Sequence, residues 1–157
     1  MQRPKWRLDD SEVPPAPAAG TRVLIATMQG LRAHRLQTEE AALARARGRC
    51  EETQREVEQA IGRYRGTLIL SSLKREYANR RLRHQPLPAP ALCIWRDWES
   101  GLSLQLEEAD QAIAEATLRL AQANEQWVMA VKQRQAAYVA VEKLAELAVQ
   151  LKPMEEE

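Results

Sequence analysis

The chain has no phenylalanine and few aromatic residues of any kind, since Phe, Trp and Tyr together make up 4% of its 157 residues. A closed globular core usually contains more aromatic bulk, so a compact domain is not favoured. Strand-forming residues are also sparse, which argues against a sandwich, a barrel or a doubly wound sheet. Hydrophobic residues still form 45% of the chain, which argues against disorder throughout.

Residues suited to catalysis or metal binding are scarce as well. The only histidines, His34 and His84, lie far apart, and the only cysteines, Cys50 and Cys93, form neither a metal-ligand spacing nor a disulfide framework. No phosphate-binding glycine loop is present. We therefore expect no enzyme activity, no cofactor and no metal. The sequence shows no signal-peptide pattern and no apolar run long enough for a membrane span, which predicts a cytoplasmic protein without direct membrane insertion.

Eight prolines divide the chain. The first four lie among balanced charges and indicate a flexible N-terminal arm. Three more, Pro86, Pro88 and Pro90, must interrupt a helix. Because the proline-free spans around them are nearly equal in length, we predict an all-α fold, a long antiparallel two-helix coiled-coil hairpin over residues 21–152. Its parts are an arm at 1–20, a helix at 21–83 capped by Thr21, a turn at 84–90, a helix at 91–151 and an acidic tail at 153–157.

The second helix carries a seven-residue hydrophobic repeat. Its d positions are Leu102, Ala109, Ala116, Ala123, Ala130, Ala137, Leu144 and Leu151. Its a positions are Leu106, Ile113, Leu120, Trp127, Arg134, Val141 and Ala148. Such a repeat is typical of a coiled coil, in which two helices pack along one line of side chains, here called the seam. The predicted structural residues of the seam are Leu106, Ile113, Leu120, Trp127, Val141 and Leu144.

The first helix repeats less regularly. A seven-residue spacing runs from Leu36 to Tyr64, and the hydrophobic positions then drift. The drifting positions are Leu68, Leu73, Tyr77 and Leu82. Gly62 and Gly66 lie at the drift and predict a kink or a shift of register. With a turn centred near residue 87, residue i of the first helix is expected opposite residue 174 − i of the second.

The net charge of +1 hides two oppositely charged halves. Residues 21–85 hold 14 Lys/Arg and 7 Asp/Glu, whereas residues 86–157 hold 6 Lys/Arg and 12 Asp/Glu. Folding the basic helix against the acidic one should bring these charges together, although each exposed pair stabilises only weakly. Pairing of two like helices is disfavoured by repulsion.

Apolar bulk and cations gather at the tip, the end of the hairpin that carries the turn. Exposed tryptophan is frequent at protein interfaces, so we expect a partner to bind there, although the two indoles could instead cap the seam. The candidate residues at the tip are Leu87, Leu92, Ile94, Trp95, Trp98, Arg80 and Arg81. Val128, Met129 and Val139 are expected to point away from the seam.

Three segments of the chain resemble the central-stalk proteins of type III secretion systems, the FliJ/YscO-like family. They are LRAHRLQTEEAALARARGRCEETQREVEQAIGRYRG, the mid-chain WRDW with the following LEEADQAIAEATLRLAQANEQW, and the closing EKLAEL. The resemblance covers about residues 30–150. It implies a non-enzymatic stalk that couples a hexameric export ATPase to an export-gate membrane protein, with export chaperones as partners of some members. It also implies a location peripheral to the inner membrane, at the base of a secretion apparatus.

The same resemblance implies a division of labour between the two ends of the hairpin. The tip faces the export gate, and the end that carries both termini enters the ATPase. On this chain the ATPase-side residues are expected to be Arg22, Arg32, Arg35, Val139 and Lys143.

Two other classes of function stay open. One is a structural coiled-coil tether, or a stalk in another complex, which self-association through the outward aliphatic residues would favour. The other is a basic-helix hairpin that binds nucleic acid. Against it, the arginines of the first helix are expected to face an acidic partner helix, and no aromatic residues interleave them for base stacking.

Overall fold

The computed structural model describes residues 19–84, 86 and 88–151. This part of the chain forms two helices, α1 (Ala19–Leu82, 64 residues) and α2 (Ala89–Leu151, 63 residues), and contains no strand. The helices pack against each other, which confirms the all-α two-helix hairpin. The predicted arm, apart from its last two residues, lies outside the described residues, as do Leu87 and the acidic tail.

Helix α1 begins at Ala19, so the prediction of Thr21 as its N-cap is wrong. The last proline of the arm is Pro17, and Ala19 has the highest helix propensity, so α1 starts there in spite of the low propensity of Gly20. At its other end α1 finishes one residue before the predicted boundary, and the Arg83 amide still donates a hydrogen bond to the Asn79 carbonyl at 3.2 Å.

Helix α2 begins at Ala89, two residues before the predicted start. The Pro88 carbonyl accepts hydrogen bonds from the amides of Ala91 (2.9 Å) and Leu92 (3.4 Å). Pro90 lies in the first helical turn, where its fixed φ fits and its missing N–H leaves no partner unsatisfied. The prolines therefore end one helix and start the next across a connection of a few residues.

The buried residues of α2 all lie at d positions of the heptad repeat. They are Leu102, Ala116, Ala123, Ala130, Ala137 and Leu144, each at most 7% exposed. The aliphatic a residues Leu106, Ile113, Leu120 and Val141 are half-buried. An alanine buries little area, so the middle of this seam contributes less stabilisation per residue than a leucine seam would.

Two a positions of α2 depart from the pattern. Trp127 is 41% exposed, because the nearly buried alanines on either side, Ala123 and Ala130, leave little room for an indole between the helices. Arg134 is half-buried: its guanidinium lies 3.6 Å from the Glu40 carboxylate and 5.3 Å from the centroid of the Tyr138 ring. The long aliphatic stem lets the charge reach the edge of the seam.

The seam of α1 does not drift as predicted. Leu68, Leu73 and Tyr77 are 42%, 57% and 64% exposed, whereas Ser71 (1% exposed) and the half-buried Ala78 continue the seven-residue spacing from Tyr64. The Ser71 hydroxyl donates to the Leu68 carbonyl at 2.9 Å, which satisfies the buried group.

The predicted interruption at the two glycines of α1 is also displaced. Helix α1 runs without a break through Gly62 and Gly66. A shift of register follows later, where two consecutive steps of four residues, Thr67 to Ser71 and Ser71 to Arg75, interrupt the alternation of three and four. Such a step is an insertion into the heptad pattern, which changes how the helices wind around each other.

The chain divides into two compact units. The first, here called the termini unit, comprises Met1–Ala42 and Val131–Glu157, and the second, the tip unit, comprises Leu43–Ala130. In the tip unit the Cys50 thiol donates to the Asn124 side-chain oxygen at 3.3 Å, and Arg75 lies 3.6 Å from Glu99. Both pairs of residue numbers sum to 174, which confirms the predicted antiparallel register within this unit.

The register of the termini unit is the same. Glu40 pairs with Arg134 at 3.6 Å, and these numbers also sum to 174. The Arg32 guanidinium donates to the Ala140 carbonyl at 2.7 Å, and these residue numbers sum to 172, two less than the predicted 174.

Pairing of charges between the helices follows the prediction only in part. Three ion pairs join α1 to α2 among the described residues, and one of them, Arg75–Glu99, sets a basic residue of α1 against an acidic residue of α2. Arg119–Glu56 and Arg134–Glu40 have the opposite polarity. The excess positive charge of α1 stays at the surface, on exposed arginines including Arg45, Arg49, Arg55, Arg63 and Arg65.

Candidate protein-binding surfaces

A groove of about 620 Å³, here called the tip groove, opens between α1 and α2 near the connection. Its apolar walls are formed by Leu73 and Tyr77 from α1 and by Ile94, Trp95 and Trp98 from α2. The volume lies within the range of about 300–1,000 Å³ that is typical of binding pockets.

Small residues in the seam explain why this groove exists. Ala78 and Ala91 line the groove at half-buried positions, where a larger side chain would fill the space between the helices. The two indoles stand at the side instead: the ring centroids of Trp95 and Trp98 are 4.9 Å apart, with the planes tilted by 48°. Both tryptophans are half-buried. They therefore line a groove rather than simply closing the end of the seam.

The charged residues that line the tip groove are both cations, Lys74 and Arg81. The Arg81 guanidinium carbon lies 5.7 Å from the centroid of the Tyr77 ring, so the cation covers part of an apolar wall. Of the nearby carboxylates, Glu76 pairs with Arg80 and Glu99 pairs with Arg75, whereas Asp97, between the two tryptophans in sequence, is exposed and does not line the groove. The groove thus combines an apolar interior with a positive edge.

The predicted tip residues divide into two sets. Ile94, Trp95, Trp98 and Arg81 line the tip groove, whereas Leu92 (52% exposed) and Arg80 lie outside it. The α1 wall is not among the predicted tip residues, because hydrophobicity assigns Leu73 and Tyr77 to the seam. The seven-residue spacing of Tyr64, Ser71 and Ala78 is the signal that distinguishes seam residues from wall residues on α1.

At the termini end Arg32 makes a contact between the helices that was not predicted from the sequence. Its guanidinium donates to the Ala140 carbonyl and is half-buried in a small groove of about 230 Å³ lined also by Arg35, Ala136 and Ala137. The alanines leave room for this long side chain. Arg32 is therefore a cross-helix contact within the termini unit rather than a free surface cation.

The other predicted residues of the termini end differ in exposure. Arg22, Arg35 and Lys143 are exposed, and Arg35 lies 4.0 Å from Glu39. Val139 is half-buried instead of exposed as expected, and no described contact accounts for this. Val128 and Met129, which belong to the tip unit, are 50% and 55% exposed and agree with the outward position predicted for them.

Aliphatic side chains are exposed near the termini. Val23, Leu24 and Leu31 on α1 are between 59% and 67% exposed, and Leu147 and Val149 on α2 are 52% and 63% exposed. We call these five residues the termini cluster; they do not share one helix face, since Leu147 and Val149 are two positions apart on α2 and point in nearly opposite directions. It contains no aromatic residue, unlike the tip groove.

One tyrosine in the termini unit has a perturbed acidity. A hydrogen bond with Glu142 and the negative charge of that carboxylate raise the pKa of Tyr138 above its ordinary value, and the nearby Arg134 opposes the rise. The residues are one helical turn apart on α2, so the contact is local.

The described part of the chain has neither a metal-binding group nor a membrane-spanning helix. No group of three or more His, Cys, Asp or Glu residues there could hold a metal ion. Neither helix, over its described length, contains a segment apolar enough to cross a membrane. Comparisons of the whole chain with family models, curated proteins and solved structures find no match.

Proposed function

We propose that this protein is the non-enzymatic central stalk of a type III protein export apparatus. In this function the termini end binds a hexameric export ATPase and the tip binds the export-gate membrane protein, with export chaperones as further partners. The protein acts in the cytoplasm, at the inner-membrane base of the apparatus. The proposal rests first on the resemblance of three segments to the central-stalk family.

The observation that carries the proposal is the pair of unlike surfaces on one helical hairpin. The tip unit carries an aromatic groove with a cationic edge, and the termini unit carries the aliphatic termini cluster with Arg35 and Lys143 exposed. A stalk that couples two machines needs a separate contact surface for each. A passive spacer needs neither, and isolated exposed apolar residues would suffice for it.

The test measures the two contacts separately. The purified chain is mixed with a purified hexameric export ATPase in one experiment and with the cytoplasmic domain of an export gate in another. We expect Trp95→Ala with Trp98→Ala to weaken gate binding at least tenfold and to leave ATPase binding within twofold. Arg35→Glu with Lys143→Glu should do the reverse.

Matched controls guard against unfolding and general charge effects. Arg32 is excluded from the charge variants because its contact with the Ala140 carbonyl would be lost. Arg63→Glu with Arg65→Glu changes the same number of exposed charges within the tip unit and should alter neither contact. If the unmodified chain binds neither partner, or if both pairs of variants weaken both contacts equally, the stalk function is wrong.

A structural coiled-coil tether is the second candidate function, and exposed apolar residues on α2 favour it. Trp127, Val128 and Met129 are 41%, 50% and 55% exposed at successive positions. A further helix covering them would produce a dimer or a larger bundle. Light scattering with size-exclusion chromatography tests this: a dimer that Val128→Glu with Met129→Glu converts to a monomer would support the tether.

A further inference from the structure

We propose that the tip groove binds an acidic amphipathic helix of a partner protein. Such a helix would place apolar side chains between the walls of the groove and carboxylates against its cationic edge. This proposal names the chemistry of the partner expected at the tip, and to that extent it rests on the proposed stalk function.

The shape of the groove favours a helix over an extended peptide. The walls are two antiparallel helices, and the described residues offer no sheet edge to which a strand could add. A third helix can pack its side chains into the channel between two others, as in helical bundles. The exposed wall residues Leu73, Tyr77 and Ile94, between 57% and 70% exposed, supply the apolar area that such packing would cover.

The charge of the lining selects an acidic partner. Lys74 and Arg81 are the only charged residues in the lining, Glu76 and Glu99 are held in ion pairs with Arg80 and Arg75, and the exposed Asp97 lies outside the lining. A partner carboxylate beside Lys74 would meet no like charge in the lining. A basic helix would meet two cations beside apolar walls, where repulsion is screened less than in open solvent.

A lipid surface fits this geometry less well. Leu73, Tyr77 and Ile94 are exposed, but the two indoles, the side chains best suited to a membrane interface, are half-buried in the walls of a recess. A second copy of the chain is also a poor occupant. The acidic stretch of α2 over residues 103–119 exposes only two large apolar side chains, Leu104 and Leu118, which lie fourteen residues apart.

The experiment selects ligands without assuming their sequence. The probe is a phage library of 18-residue helical peptides with leucines at i, i+3, i+4 and i+7 and random acidic, basic or neutral flanking positions. It is panned on the immobilised full chain. We expect the selected peptides to carry an excess of Asp and Glu, and a library winner whose acidic residues are exchanged for lysine to bind at least tenfold more weakly in fluorescence anisotropy.

Variants then place the peptide in the groove. Lys74→Glu with Arg81→Glu should weaken binding of the acidic winner at least tenfold, and so should Trp98→Ala. Arg63→Glu with Arg65→Glu is the matched charge control, and Leu118→Ala is the matched apolar control. Both controls should remain within twofold of the unmodified chain. Circular dichroism checks that each variant is helical, and the charge-exchanged peptide tests the proposal even if a groove variant unfolds.

Three outcomes would overturn the proposal. Selected peptides could lack an acidic excess, or bind equally well to the groove variants. The chain could sediment with phosphatidylglycerol vesicles through the same residues while no peptide is selected, which would assign the groove to a membrane. A dimer that the groove variants abolish would assign it to a second copy. Since no ATPase or gate protein enters these measurements, peptide binding can succeed while the stalk function fails, and the reverse.

Discussion

Small residues lie between the helices in both the tip unit and the termini unit, but the larger side chains beside them differ. In the tip unit, the small residues Ala78 and Ala91 leave a space that the aromatic side chains of Trp95 and Trp98 border without filling. In the termini unit, alanines at 136, 137 and 140 leave a smaller space, and the Arg32 side chain occupies part of it. Small residues thus create an open groove at one end and a polar contact between helices at the other.

This difference teaches that exposed cations at the two ends are not equivalent. At the tip, Lys74 and Arg81 lie at the edge of an apolar groove that remains open. At the termini end, Arg32 is engaged with the Ala140 carbonyl, whereas Arg22, Arg35 and Lys143 are exposed. Sequence composition alone, which counts arginines, does not separate a binding residue from a contact between helices.

The largest loss of stability is expected from changes to the buried leucines of the seam, which both units contain. Leu102 in the tip unit and Leu144 in the termini unit are each 4% exposed. Changing either to Asp removes buried apolar area and buries an unpaired charge, which should cost on the order of 3 kcal/mol or more. Chemical denaturation monitored by circular dichroism measures the loss. A cost below about 1 kcal/mol at either site would contradict the heptad register there.

A smaller effect should separate the open groove from the seam. Trp98→Ala removes a half-buried ring and its contact with Trp95, and aromatic contacts of this kind contribute about 0.5–1.5 kcal/mol beyond the area they cover. We expect thermal unfolding to shift by only a few degrees, with full helicity at 20 °C. Complete loss of helicity would mean that the indoles hold the tip together rather than border a binding site.

Arg32 and Arg35 provide a matched pair for the termini end. Arg32→Gln should lose the hydrogen bond to the Ala140 carbonyl and cost about 1 kcal/mol. Arg35→Gln removes an exposed cation whose distance to Glu39 is 4.0 Å, and it should change stability by less than about 0.5 kcal/mol. Equal melting temperatures for the two variants would show that the Arg32 contact adds nothing to stability in solution.

The smallest effect concerns Tyr138. Because the neutral phenol is favoured beside Glu142, the folded state binds its proton more tightly than the unfolded chain does. The resulting stabilisation is present below the ordinary pKa of 10.0 and is lost as the pH rises through the higher folded value. Absorbance at about 295 nm follows the ionisation, with a Glu142→Gln variant as comparison. An unchanged titration midpoint in that variant would argue against the contact.

Much of the fold could be predicted from the sequence, and the reason is periodicity. The d positions of α2 repeat every seven residues, and a hairpin with a short connection has only one antiparallel register, so Cys50–Asn124 and Arg75–Glu99 lie where the arithmetic places them. The site was harder to predict. Leu73 and Tyr77 are more hydrophobic than Ser71 and Ala78, and hydrophobicity alone assigns the wrong pair to the seam.

Side-chain size accounts for the remaining errors. Trp127 fits the heptad pattern by position and by hydrophobicity, yet its indole is too large for a seam of alanines. Arg32 is expected at the surface because it is charged, yet its long side chain reaches the Ala140 carbonyl of the other helix past small neighbouring residues. Neither outcome can be predicted from the pattern of polar and apolar residues alone.

The alanine line of α2 has a mechanical consequence. From Ala109 to Ala137 every d position is the same small residue, so sliding α2 lengthwise by one heptad would set alanine in place of alanine along this line. What opposes such sliding is the mismatch of unlike a-position side chains such as Trp127 and Arg134, the polar contacts between the helices and the short proline-containing connection between Leu82 and Ala89. An axial pull on one helix is therefore resisted by the a positions and by the connection, and not by the shape of the alanine line.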